Sequence, residues 1–328
     1  MGGLRPSTKQ RRIALALVSS FVTGAALWFV FRRFEWSAFV TQVRDLDPAW
    51  VAAAVAADIL SYVCQGARWS YLLRPVAANS VLASTRAVYA GLFVNEIVPM
   101  RPGEVLRGMI VARETRQPLR RIVPSMVAER VIDAVVLVTA GLLAAAYVPL
   151  PASVTEFVVV VGALLLVAGT ALGMLRNKIP AAWLEPLSNP SALILSVGVL
   201  LGQCLAVWSI LRACGLPWSF AAGFAITVIL RIGTALPLAP ANVGTHQLAM
   251  LLGLALFGLT GHQATAVAFI AFALLTLPLL LLGAVALATS HVSVRDATKP
   301  RPPVPVVPPG SWTHWKSYPT DNFWWHRP

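Results

Sequence analysis

The 328-residue chain is 57% hydrophobic and only 12% charged, with a mean hydropathy of +0.72, so it carries more apolar surface than a soluble domain buries. This balance excludes a soluble globular domain and points to an all-α polytopic membrane protein. A formal net charge of +13 in so oily a chain is read through the division of Lys and Arg between membrane loops, and nucleic acid is not an expected partner.

Residues 1–12 form a basic tail carrying Arg5, Lys9, Arg11 and Arg12, charge that holds the N-terminus in the cytoplasm. Residues 13–31 are about as long as a membrane span, and no small-residue cleavage site precedes Arg32, so they read as a retained first span rather than a signal peptide. Between Arg32 and Pro48, Phe34, Trp36, Phe39 and Val43 recur at helical spacing, which predicts a short helix at the outer interface. Span two, 49–73, contains Asp58, Gln65 and Arg68 and closes on Arg68, Trp69, Tyr71 and Arg74 as inner-interface anchors. Asp58 and Arg68 read as a supporting pair or as interface anchors.

Residues 81–112 then break the pattern. Pro99 and Pro102 each remove a backbone donor and Gly103 admits unusual backbone angles, so the apolar segment entering here cannot continue as a regular helix. Broken backbone at membrane depth is tolerated only inside protein or beside a wet cavity, which makes this stretch a candidate site. Arg113, Arg116, Arg120 and Arg121 follow as a basic cytoplasmic loop, so the stretch dips in and returns as a re-entrant hairpin.

Span three, 125–148, is followed by a loop without Lys or Arg, and span four, 154–175, exits at Arg176 and Lys178. Span five covers 191–213. A second interrupted hairpin, 219–260, is broken at Pro237, Pro240 and Gly244, and span six covers 264–289. Residues 291–328, rich in Pro and Trp, read as a disordered cytoplasmic tail. Cys64, Cys204 and Cys214 are too few and scattered for a disulfide framework or a metal cluster; no metal, cofactor or catalytic residue is assigned.

The two interruptions align at an offset of 138, Pro99 on Pro237 and Pro102 on Pro240, and the same offset carries spans one, two and three onto four, five and six. The expected domains are therefore two repeats, 13–148 and 149–290. Three crossings per repeat is odd, so the second repeat sits upside down relative to the first, the plan of transporters whose paired broken segments mark a midplane binding site. The expected architecture is six transmembrane helices plus two re-entrant hairpins.

Charged residues concentrate in the first repeat: Glu96, Arg101, Glu104, Arg107, Glu129, Arg130 and Asp133. Charges at membrane depth are costly unless paired or hydrated. Glu129 and Asp133, four residues apart, share a helical face with Arg130 beside them. One reading is a vestibule in which Arg101, Arg107 and Arg130 receive a phosphate while the acids hold the arginines or a cationic group. The other is an internal salt-bridge network pinning the hairpin to span three; the same pairs can do both. In the second repeat Ala239 and Asn242 occupy the positions of Arg101 and Glu104, and Asn242 and His246 are placed to cap broken helix ends or bond a polar head.

Asn95, Glu96, Pro99, Arg101, Gly103, Glu104 and Arg107, then Glu129, Arg130 and Asp133, then Pro237, Pro240, Asn242 and Gly244, together resemble the lysylphosphatidylglycerol synthase transmembrane-region family of flippase-like proteins. The likeness spans residues 10–290. It implies a membrane-embedded translocator of lipids, with Asn95 and the polar residues above as substrate contacts. The chain departs in carrying no large soluble aminoacyl-transferase domain, and in Ala241 and His246 where a glycine and an acidic or aromatic residue are usual. The expectation is movement of a phospholipid or other polar lipid between leaflets of a bacterial-type cytoplasmic membrane, an aminoacyl-phospholipid and a lipid-linked sugar being candidates. Membrane lipids are the expected partners, with a homo-oligomer or a separate lipid-modifying enzyme left open. The alternatives are an intramembrane enzyme of lipid or lipid-linked glycan metabolism, for which no phosphate loop or nucleophile elbow speaks, and a noncatalytic scaffold.

Overall fold

The computed structural model describes residues 28, 35–77, 79–98, 101–148, 152–175, 177, 181–235 and 242–290. The chain divides into two units, Met1–Ala297 and Thr298–Pro328, and the described residues all belong to the first. The first expected span apart from Trp28, the Pro/Trp-rich tail, Pro99, Pro237 and Pro240 lie outside the described residues.

Among the described residues the fold is helical without strands. Its elements are α1 (Trp36–Arg44), α2 (Pro48–Leu73), α3 (Val81–Ile97), α4 (Gly103–Glu114), α5 (Leu119–Tyr147), α6 (Ala152–Leu175), the short α7 (Ala181–Leu184), α8 (Pro190–Ala213), α9 (Phe220–Ala235), α10 (Thr245–Ala255) and α11 (Gly261–Ala288). Three of them, α2, α8 and α11, are clearly long and apolar enough to cross a membrane. Large apolar side chains such as Leu166, Ile194 and Leu281 point outward at about 70% exposure, a surface suited to lipid rather than water.

The helices begin where the sequence supplies caps. Asp47 accepts from Ala49 N at 2.8 Å ahead of Pro48, and Asn189 accepts from Ser191 N at 3.0 Å ahead of Pro190, so α2 and α8 share one start motif. Their starts are 142 residues apart, as are those of α4 and α10 and of α5 and α11. Only α3 and α9 end 138 residues apart, because the second break, 236–244, is longer than the first, 98–102. The single offset of 138 expected from the prolines therefore holds for one helix pair, and by helix starts the counterpart of Pro102 is Gly244.

Packing follows the same recurrence. The long helices α2 and α8 lie against each other at the centre; α3 packs on α11 and, reciprocally, α9 packs on α5. Small residues permit these close approaches: a Cβ on Gly202 would meet Ser61 Cβ at 2.9 Å, and one on Gly283 would meet Phe93 Cβ at 2.5 Å.

Candidate functional site

The first hairpin is built from α3 and α4, joined at a break where Arg101 adopts a left-handed φ of 51° and Pro102 precedes the first helical residue of α4. Asn95 Oδ1 accepts a bond of 2.8 Å from Gly103 N, tying the end of α3 to the start of α4. Gly103 is required by contact: a Cβ there would lie 1.8 Å from Gly91 O. In the second hairpin Asn242 has φ 51° and Gly244 φ 87°, and the start of α10 is closed by Gln247, whose Oε1 accepts from Gly244 N at 2.7 Å. His246, proposed for a capping role, instead places its ring edge-on against Phe272 with centroids 5.3 Å apart.

The two breaks meet. Arg101 Nη2 donates to Asn242 Oδ1 and to Thr234 O, both at 2.9 Å, so the charged break of the first hairpin is bonded to the neutral break of the second. Beside this junction lies a cavity of about 470 Å³. Of the sequence-expected residues, Glu96, Arg101, Arg130, Asp133, Asn242 and His246 line it. Asn95, Glu104, Arg107 and Glu129 do not; they stand behind its wall.

Behind the lining is an ion network centred on Glu129, whose side chain is 0% exposed. Arg107 reaches Glu129 Oε2 at 2.9 Å and Glu104 at 2.8 Å, with its guanidinium 4.7 Å from the ring centroid of Trp69. Arg68 donates to Glu129 Oε1 at 2.9 Å, to Asp133 and to Ser196 Oγ, and Gln65 donates to Glu129 Oε1 at 3.0 Å. Arg130, 52% exposed, spans Glu104 at 3.2 Å and Asp133 at 3.5 Å and faces the cavity. Three arginines and three carboxylates thus join α2, α4 and α5 in a set with no net charge.

Arg68 and Trp69 differ from expectation here. They are buried, at 1% and 0%, in the core between α2 and its neighbours rather than anchored at an interface, and Asp58 makes no ion pair with Arg68. The reason is register: Gln65 and Arg68, three apart in α2, turn the same face toward α5, whose acids are more than sixty residues away in the chain.

The cavity also exposes groups outside the expected set. Arg231 of α9 donates to Gln203 of α8, and both line it together with Asp58 and Tyr62 of α2. An ionisable residue within an apolar segment is the signal that marks Asp58 and Arg231 in the sequence, though not which way they point. Apolar side chains complete the lining, among them Leu137 and Val138 of α5, Val158 and Val161 of α6, and Leu275 and Leu279 of α11.

The chain matches the family model described as the lysylphosphatidylglycerol synthase TM region over residues 13–283. It belongs to that family. This makes it a membrane protein of lipid metabolism or transport, and the resemblance carried by the two broken stretches is that of a family member. No curated protein matches the chain.

Proposed function

We propose that the protein moves a phospholipid, or another lipid with an anionic or zwitterionic polar head, between the two leaflets of a bacterial-type cytoplasmic membrane. The head passes through the cavity while the acyl chains stay in lipid. The observation that carries this reading is the lining itself: charged groups and an apolar wall in one chamber, at the junction of two broken helices. The three arginines of the ion network are matched by carboxylates, whereas Arg101 and Arg231 bond only neutral oxygens, of Asn242, Thr234 and Gln203. These two, with no carboxylate bonded to them among the described residues, are placed to receive a phosphate, with Arg130 at the rim.

The reciprocal packing of α3 on α11 and α9 on α5 supports two repeats related by an approximate two-fold exchange, inverted because each holds an odd number of crossings. Both termini then lie in the cytoplasm, and the lipids of the membrane are the partners; a second copy or a separate lipid-modifying enzyme is compatible with this arrangement. The test is movement of a fluorescent phospholipid between leaflets of reconstituted vesicles, followed by external quenching. Arg101→Gln is expected to slow it by tenfold or more, since charge-assisted bonds are worth about 1.5–3 kcal/mol, with unchanged elution of the purified protein. Wild-type-like movement by this variant would sink the reading.

A further inference from the structure

Asp58 stands apart from every group used above. It lies in α2, ten residues before Arg68, lines the cavity and is 3% exposed. Its Oδ2 is sealed from solvent and accepts no hydrogen bond, and no ion pair reaches it among the described residues. Glu129 and Asp133, by contrast, are each held by two or more arginines. Two phenols lie within electrostatic reach of Asp58: Tyr62 one turn along α2, and Tyr89 of α3, whose hydroxyl is likewise buried without a partner. Their rings are 5.5 Å apart.

Among the described residues, the cations of the chamber are bonded to other groups. Across the lining, α3 contributes Glu96, the break after it Arg101, bonded to Asn242 and Thr234, α5 the mutually paired Arg130 and Asp133, and α9 contributes Arg231, bonded to Gln203. From α10 comes His246, turned onto Phe272; α8 brings neutral Gln203 and Val207, and the lining residues of α11 carry no titratable group. An ionised carboxyl without a partner in such a place is expensive, and binding one proton removes the charge. A proton fits where larger ions do not: Oδ2, closed to a water-sized sphere, is closed to a hydrated metal ion and to a lipid ammonium.

We propose that Asp58 is a proton-binding site that couples lipid movement to a proton gradient, an inference that rests on the translocation reading above. A proton from water adds to the Asp58 carboxylate, giving a neutral acid, and the same O–H bond breaks to return it to water on the other side. No other bond is made or broken.

The test uses the full chain in vesicles containing a fluorescent phospholipid, with and without an imposed pH difference. The wild type is expected to shift the lipid toward one leaflet by several-fold under the gradient. Asp58→Asn is expected to lose the gradient-driven shift, and Asp58→Glu to keep it. Wild-type equilibration that is indifferent to pH difference overturns the coupling and leaves translocation standing. A second measurement is independent of transport: in purified protein, infrared spectra should show a carboxylic-acid carbonyl band that grows as pH falls and is missing from Asp58→Asn. Spectra of the two proteins that are identical across pH overturn the proton site even if lipid moves.

Discussion

The two interrupted hairpins use one scaffold and opposite chemistry. Shifting by the 142 residues that separate the helix starts, Arg68, Arg107 and Glu129 fall on Ile210, Ala249 and Ala271. Those three apolar residues, with Val207 opposite Gln65, belong to one buried hydrophobic cluster. The half-exposed pair Glu104 and Arg130 corresponds to His246 and Phe272, which touch through their rings. One half therefore fills with an ion network the space that the other fills with small and branched apolar side chains. Since buried ion pairs commonly add no more stability than well-packed apolar residues of similar volume, folding alone does not call for the charged version. On the translocation reading proposed above, its charges serve the cavity, and their mutual neutralisation lowers their cost at membrane depth.

The largest expected effect comes from breaking the network at its centre. Glu129→Gln leaves Arg68 and Arg107, both nearly free of solvent, without their shared carboxylate, and is expected to cost about 3–5 kcal/mol by thermal unfolding in detergent. The matched Ala271→Gly should cost about 1 kcal/mol, the ordinary loss of helix propensity. Equal costs for the two would collapse the contrast between the halves. It is sharpened by importing the apolar solution: Arg68→Ile, Arg107→Ala and Glu129→Ala together should recover most of the stability lost in Glu129→Gln while abolishing lipid movement. A triple variant that moves lipid at the wild-type rate would show that the charges serve only the fold.

Smaller effects probe the breaks. Gly103→Ala drives a methyl into Gly91 O and should destabilise by about 1–3 kcal/mol, the range for overpacking. Gly244→Ala meets a positive φ of 87° and should cost about 1–2 kcal/mol. Both are measured by the same unfolding assay, and a neutral result for Gly103 would mean that α3 and α4 part without penalty. Smallest is Arg130→Gln, an exposed partner of Glu104 worth about 0.2–1 kcal/mol, whose loss should appear in lipid movement more than in melting.

Much of the helix plan could be read from the chain. The expected spans 49–73, 154–175, 191–213 and 264–289 each fall on a helix, and α3, α4, α9 and α10 occupy the two expected hairpins. The third span proved longer: α5 starts at Leu119, carrying Arg120 and Arg121 into its first turn. Hydropathy and helix-breaking residues act locally, which is why they are legible. The longer second break is not legible from the prolines, whose equal spacing hides a difference in loop length. The Asp47-Pro48 and Asn189-Pro190 starts, a matching pair of local signals, would have exposed it.

By itself the order of residues determined that this chain is an oily helical protein, where its helices stop, and that its charges gather near one of two interruptions; each follows from side-chain solubility or from backbone constraints within a few residues. Only the tertiary structure decided that Arg68 belongs to Glu129, that Arg101 is bonded to Asn242, and that Asp58 and Arg231 face the cavity while Arg107 does not. Pairing across helices depends on how each is rotated and how closely it approaches its neighbours, and that is set by packing over the whole fold rather than by local spacing.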